Sequence, residues 1–143
     1  MKKIISLLLA LALCLSLCAC GNKLQKQAYE VAEKLEGTWG YTVTSYIAGK
    51  TTTIMTFEYS GQNAGKVTYS FLMGDKLLYC YTGTYDVSLE NEGIINYQLG
   101  YEMDEKGNIQ KKDTISEKTL EYTYIDGKLE FTDGVTTLVF IEQ

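Results

Sequence analysis

The sequence has 143 residues, of which 45% are hydrophobic, and its formal net charge is −5. It contains no His, no Pro and no Arg, so Lys supplies all 13 cations. Without His, a Ser/His/Asp or Cys/His nucleophile and a His-bearing zinc site are excluded, and the length allows one ordinary domain.

The N-terminal residues are organised as an export signal. Two lysines precede an apolar run of 14 residues at 4–17, which is shorter than the roughly 20 residues that a membrane-spanning helix requires. The run leads into Leu-Cys-Ala-Cys-Gly at 17–21, which resembles the lipobox of bacterial lipoproteins, with a small residue directly before Cys20. The resemblance implies that residues 1–19 are a cleaved lipoprotein signal peptide and that Cys20 carries a diacylglyceryl thioether. The protein would then be retained on a bacterial cell membrane or envelope, exposed outside the cytoplasm.

Removal of the signal changes the charge and the cysteine count. The mature chain has 11 Lys against 18 Asp and Glu, a net charge of −7. This charge disfavours nucleic acid and leaves a cationic partner open, so the membrane contact is assigned to the acyl chains on Cys20. Cys80 is the remaining cysteine, and we expect it to be a buried small hydrophobe because no His can activate it.

A short helical pattern follows the lipidated cysteine. At 22–36, the apolar residues Leu24, Ala28, Val31 and Leu35 recur at spacings of four, three and four, which indicates one stripe of an amphipathic helix. We expect this stripe to dock on the domain. Residues 20–36 are therefore interpreted as lipidated cysteine, tether and helix, and residues 37–143 as the domain.

From Trp39 onward, the period changes to the strict alternation that is typical of half-buried antiparallel strands. Gly, Asn and Asp turn signals separate the alternating segments, and Asp126-Gly127 and Asp133-Gly134 favour two-residue type I′ hairpin loops. Gly83 and Gly100 lie inside strands and predict bulges or bends. The predicted strands cover 39–48, 51–59, 65–73, 76–88, 93–103, 114–125, 128–132 and 135–142.

Eight consecutive strands without a crossover helix predict an all-β fold, a single eight-stranded antiparallel up-and-down β-barrel. The segment 104–118 contains eight charged residues in fifteen, and most of it is interpreted as a mobile surface loop.

Gly37-Thr38-Trp39, placed between a short helix and the first strand of a meander, resembles the opening of lipocalins and other calycins, including small bacterial lipocalin-like lipoproteins. The closing segment from Lys128 to Phe140 is similar to the final hairpin of those lipoproteins. The resemblance implies a lipocalin-like barrel in which Trp39 plugs one end. It implies no particular ligand, because the arginine that lipocalins stack on this tryptophan is absent here.

No pattern in the sequence favours catalysis, a cofactor or a metal site. The carboxylates cluster in turns, the segment 104–108 lacks the ligand spacing of a calcium loop, and neither a Gly-rich phosphate loop nor a nucleophile elbow is present. We therefore expect a binding protein rather than an enzyme.

Two binding hypotheses remain open. In the first, the barrel holds a small apolar or amphiphilic molecule, although the same bulky side chains would also serve to fill an eight-stranded barrel. In the second, the outer faces and loops form an interaction module for a protein or glycan, for example a cationic protein, around a solid core. The candidate wall residues of the first hypothesis are Trp39, Tyr69, Phe71, Tyr97, Leu99, Tyr101, Tyr122 and Tyr124.

Overall fold

The computed structural model describes residues 23–143, which contain one helix, α1, and eight strands, β1 to β8. The predicted signal peptide and Cys20 lie outside the described residues. Helix α1 covers residues 23–35. The strands are β1 (Gly37–Ser45), β2 (Gly49–Tyr59), β3 (Ala64–Met73), β4 (Lys76–Val87), β5 (Ile94–Met103), β6 (Ile109–Ile125), β7 (Lys128–Thr132) and β8 (Thr137–Glu142).

The strands form a closed barrel in which each strand pairs antiparallel with the next one along the chain. Strand β1 also pairs with β8, through Trp39 with Glu142 and Gly40 with Ile141, and we call these two pairs the closing ladder. The predicted all-β class and the eight-stranded up-and-down barrel are therefore confirmed.

Alternation along each strand sends every second side chain into the barrel. Phe57, Val67 and Tyr85 are buried in this way on β2, β3 and β4, and Ile95 and Phe131 are buried on β5 and β7. The rings of Phe57 and Tyr85 meet edge to face with centroids 5.0 Å apart. The buried core residues run from Ala28 to Phe140, so residues 23–143 carry their own hydrophobic core, as domains that can fold alone do.

Helix α1 covers one end of the barrel, which we call the helix end. Ala28 and Leu35 of the predicted stripe are buried against the barrel, whereas Leu24 and Val31 are partly buried. Ala32, which was not part of the predicted stripe, is also buried there. Two hydrogen bonds attach the helix to the barrel: Trp39 Nε1 donates to the Leu35 carbonyl oxygen at 2.9 Å, and the Tyr85 hydroxyl donates to the Ala32 carbonyl oxygen at 3.2 Å. The loops 46–48, 74–75, 104–108 and 133–136 lie at the opposite end, which we call the open end.

Strand β6 begins earlier than predicted, and the interpretation of most of 104–118 as a loop is wrong. Only residues 104–108 form the loop, because Ile109 and Lys111 already pair with Met103 and Tyr101 of β5. The alternating pattern is absent from this charged part of the sequence because most side chains of β6 face solvent. Within the loop, Asp104 Oδ1 accepts hydrogen bonds from the backbone N–H groups of residues 106 and 108, at 2.9 Å and 2.8 Å.

One of the two predicted Asp-Gly hairpin loops is correct. Asp126 and Gly127 both have positive φ, 53° and 74°, which is the type I′ geometry. Asp133 and Gly134 instead belong to a four-residue loop, because Thr132 pairs with Thr137. Asp133 Oδ1 accepts hydrogen bonds from the backbone N–H groups of residues 135 and 136, and this cap stabilises the longer loop.

The two in-strand glycines mark register shifts, as predicted. The β4–β5 register shifts between Thr82 and Gly83, and the β5–β6 register shifts around Gly100. A Cβ atom at Gly83 would lie only 1.7 Å from the Gln98 carbonyl oxygen, so the close approach of β4 and β5 requires glycine here.

The β7–β8 hairpin is short, and β6 is long. Strand β7 pairs with β6 only over residues 121–125. Within residues 23–143, the part of β6 at 109–120 therefore has no strand partner on its β7 side. The rim of the open end is lower on this side of the barrel, beside β6.

Candidate functional site at the open end of the barrel

A cavity of about 150 Å³ lies inside the barrel toward the open end. Met55 of β2, Tyr69 of β3 and Tyr97 of β5 form one side of it. The remaining lining residues come from β6, β7, β8 and the loop at 133–136. They are Lys118, Leu120, Phe131, Asp133, Thr136, Leu138 and Phe140.

Four aromatic side chains on the inner faces of β3 and β4 form a stacked group, which we call the aromatic shelf: Tyr69, Phe71, Tyr79 and Tyr81. The register places Tyr69 opposite Tyr81 and Phe71 opposite Tyr79. The ring of Tyr79 is nearly parallel to those of Phe71 and Tyr69, at 10° to each, with centroids 5.1 Å and 6.3 Å apart. Tyr81 continues the stack at 5.4 Å from Tyr79. Because all four side chains are only partly buried, the shelf offers apolar surface to a ligand.

Strand β6 contributes cations to the open end. The Nζ atom of Lys112 lies 4.0 Å from the centroid of the Tyr81 ring, and it also donates a hydrogen bond to Ser116 Oγ at 3.3 Å. Lys118 pairs with Tyr97 across the β5–β6 ladder and lines the cavity. The open end thus combines an aromatic surface on β3 and β4 with ammonium groups on β6.

The phenols at this end stay protonated well above neutral pH. Burial, with a smaller contribution from the neighbouring Tyr69, raises the pKa of Tyr97 to about 12. Burial and the adjacent Tyr69 and Tyr81 also raise the pKa of Tyr79. Both residues therefore present neutral hydroxyl groups, which can donate as well as accept a hydrogen bond.

The structure places the predicted wall residues at both ends of the barrel, in its core and on its outer face. Tyr69 and Tyr97 line the cavity, and Phe71 belongs to the aromatic shelf, whereas Leu99 is buried in the core. The other residues of the set lie elsewhere: Trp39, Tyr122 and Tyr124 are nearer the helix end, and Tyr101 is on the outside.

Trp39 is fully buried beneath α1, and its ring meets that of Tyr124 edge to face, with centroids 5.9 Å apart. Tyr122 pairs with Phe131 close to the end of β6, and burial together with the charge of Glu92 raises its pKa. These three aromatic residues pack the helix end and lie outside the lining of the cavity.

The prediction that Tyr101 faces the interior is wrong. The register shift at Gly83 places Tyr101 opposite Thr82, whose neighbour Thr68 lies on the outer face of β3. Tyr101 is 45% exposed and lines an outer hollow with Ile109. A one-residue slip reverses the face of every later side chain in a strand, and the alternating pattern alone does not reveal it.

The sequence patterns do not identify the two further shelf residues, Tyr79 and Tyr81, or the two lysines of the site, Lys112 and Lys118. They also do not identify the cavity lining beyond Tyr69 and Tyr97. Tyr79 and Tyr81 flank Cys80 in the run at 77–81, and this spacing of two residues indicates that both side chains lie on the same face of a strand. The two lysines lie in the charged segment that was interpreted as a loop, and nothing in their spacing distinguished them from solvated lysines.

Cys80 is buried, as predicted, and it lies 3.2 Å from the Ser70 hydroxyl. Within the part of the chain that the structure describes, no three acidic, Cys or His side chains come together as a metal site. In the same residues, no helix combines the length and the apolar character that a bilayer span needs.

No protein-family model, curated protein or solved structure matches this chain. The functional interpretation therefore depends on the geometry of the open end.

Proposed function

We propose that this chain is a lipid-anchored bacterial envelope lipoprotein whose lipocalin-like barrel binds a small apolar or amphiphilic molecule at its open end, without catalysis. The observation that supports the proposal is the cavity, which reaches the aromatic shelf through Tyr69. Tyrosine suits such a wall because it combines apolar area with a hydrogen-bonding tip.

The size of the cavity limits what it can hold. Ordinary small-molecule sites have volumes of about 300–1,000 Å³, whereas an apolar cavity of about 150 Å³ holds a molecule of the size of benzene. The cavity here has about 150 Å³. It would therefore enclose one ring or the end of a chain, and the rest of the ligand would lie on the aromatic shelf.

The position of α1 supports an orientation on the membrane. The helix begins at residue 23, three residues after Cys20, and it covers the helix end of the barrel. An acylated Cys20 would hold that end near the bilayer, so the open end would face away from it. A ligand would then enter from the aqueous side.

Native mass spectrometry of residues 23–143 tests the binding role. We expect a small molecule to copurify with the parent domain and to be lost from Leu138→Trp, whose larger side chain fills the cavity. Tyr101→Ala, on the outer face, is the matched control and should keep the molecule. Repeated preparations of the folded parent without a bound molecule would contradict the proposal.

The anchor is tested separately by Cys20→Ser in the full chain. This variant cannot form the thioether, so we expect it to be released into the medium or to remain unprocessed. Retention of a processed Cys20→Ser protein on the membrane would refute the lipoprotein assignment without affecting the binding proposal.

One observation favours the second function, an interaction module for a protein or glycan. Tyr46, Ile47 and Val135 are almost fully exposed, and all three lie in loops of the open end. Contiguous exposed apolar side chains mark contact sites, and Tyr46 and Ile47 are adjacent in one loop. If this function operates, Tyr46→Ser with Ile47→Ser should abolish binding to a cationic partner protein, and Leu138→Trp should leave it unchanged.

A further inference from the structure

We propose that the ligand of the open end carries an anionic head group, which Lys112 and Lys118 bind while the apolar part lies on the aromatic shelf and in the cavity. This inference rests on the proposed binding function. It adds the charge of the ligand and names the residues that select it.

Within the described part of the chain, the ammonium group of Lys112 has no ion-pair partner. Its ammonium group rests on the Tyr81 ring, and one of its three N–H donors reaches Ser116. Among residues 23–143, the ion pair between Lys26 and Glu30 is the one pair with nitrogen and oxygen within 4.0 Å. Lys112 therefore has two donors free and no carboxylate in contact, although it is half-buried. A ligand anion would complete its hydrogen bonds.

Lys118 has one acidic neighbour in the same cavity, Asp133. Hydrogen bonds from the backbone N–H groups of residues 136 and 135, helped by the charge of Lys118, lower the pKa of Asp133, so this carboxyl is ionised at neutral pH. Its Oδ1 atom is already occupied by those two N–H groups. Asp133 thus offsets the charge of Lys118 in part, but its Oδ1 atom caps the loop. Glu102 pairs with Tyr81 across the β4–β5 ladder and shares the inner face, yet no carboxylate oxygen of the described residues lies within 4.0 Å of the Lys112 Nζ atom.

The pair of ammonium groups at this end contrasts with the rest of the chain, in which acids outnumber lysines. Local contacts with these ammonium groups favour an anionic head group over a neutral one, and the acidic outer surface offers anions no comparable site. The arrangement of the walls then sets the shape of the ligand. Aromatic rings on β3 and β4 receive a flat or thin apolar part, and β6 receives a carboxylate, sulfonate or phosphate at the rim.

Two fluorescent probes with the same ring system separate the contribution of charge from that of apolar contact. These are 1-anilinonaphthalene-8-sulfonate, which is anionic, and N-phenyl-1-naphthylamine, which lacks the sulfonate. Residues 23–143 are titrated with each probe as the parent and as Lys112→Met, Lys118→Met and Lys111→Met. Methionine keeps the apolar stem of lysine, and Lys111 lies opposite Tyr101 on the outer face, so Lys111→Met is the matched control.

We expect the parent to bind both probes. Lys112→Met should weaken sulfonate binding about tenfold, as the loss of one charge-assisted hydrogen bond does, and Lys118→Met should weaken it less because Asp133 offsets that lysine. Neutral-probe binding should change by less than about twofold in every variant, and Lys111→Met should behave as the parent. Competition with dodecanoate, dodecyl phosphate and dodecanol then identifies the head group, and dodecanol should compete least.

The outcomes separate the two proposals. If the folded parent binds neither probe, the proposed binding function fails, and the inference fails with it. If both probes bind but Lys112→Met and Lys111→Met have the same affinity for the sulfonate, binding stands and the anionic selectivity is refuted. Urea unfolding, followed by Trp39 fluorescence, confirms that each variant is folded during the titration.

Discussion

Replacing Gly83 with alanine is expected to destabilise the barrel strongly, whereas the same replacement at Gly100 is not. Both glycines lie inside strands at register shifts. A methyl group at Gly83 would lie 1.7 Å from the carbonyl oxygen of Gln98 and 3.1 Å from the Cα atom of Leu99. At Gly100, the nearest heavy atom would be Cγ1 of Ile115 at 3.8 Å, which is an ordinary contact.

The magnitude follows from the atoms that would have to move. The obstacle at Gly83 is the backbone of β5, which cannot rotate away as a side chain does, so β4 and β5 must separate locally. Overpacking costs about 1–3 kcal/mol and each lost hydrogen bond about 1 kcal/mol, so we expect Gly83→Ala to lower the free energy of unfolding by about 3 kcal/mol. Gly100→Ala reduces the conformational entropy of the unfolded chain. It should therefore leave the free energy of unfolding unchanged or raise it by up to about 1 kcal/mol.

Urea unfolding of residues 23–143 measures both variants, because Trp39 is the single tryptophan and is buried at the helix end. The change in free energy is obtained from the shift in midpoint at a constant slope. If the two variants differ by less than about 1 kcal/mol, the reasoning about the close approach of the strands is refuted.

Three further predictions concern the core and the attachment of the helix. Tyr85→Phe removes the hydrogen bond to the Ala32 carbonyl, so urea unfolding should show a loss of about 1–2 kcal/mol, and an unchanged midpoint would contradict the role of this bond. Phe57→Ala should lower the free energy of unfolding by about 3–5 kcal/mol in the same assay, because Phe57 is buried and packs edge to face on Tyr85. A decrease below about 1 kcal/mol would contradict this, because it would mean that neighbouring side chains fill the space. The pKa values of Tyr85 and Tyr97 are about 12 against the ordinary 10.0, so the native state holds these protons more tightly, and stability should fall as pH rises from 10 to 12. Ultraviolet titration of the phenolates checks this, and titration of all tyrosines near pH 10 would contradict it.

The strands were predictable from sequence because one physical rule, the alternation of inward and outward side chains, repeats along each of them. Turn chemistry was predictable where backbone conformation decides it, as at Asp126-Gly127. It failed at Asp133, because the carboxylate there bonds to backbone N–H groups two and three residues ahead, and this favours a longer loop over a two-residue turn.

The candidate site was less predictable, because it depends on contacts between strands that are far apart in sequence. A register shift places Tyr101 on the outer face of the barrel, although its position in the alternation predicts the inner face. Lys112 becomes a candidate binding residue only through its contact with the Tyr81 ring on another strand. The volume of the interior is likewise a property of packing, since the same tyrosines can fill a barrel or line it.

The closing ladder has a consequence for how the barrel forms and opens. Every other ladder joins strands that are consecutive along the chain, whereas this one joins β1 to β8 through only two pairs, Trp39 with Glu142 and Gly40 with Ile141. Contacts between distant residues cost the most chain entropy, so we expect the hairpins to form early and the ring to shut last. The same edge should be the first to separate when the folded protein fluctuates. Backbone amides there should accordingly exchange with deuterium sooner than those between β2 and β3.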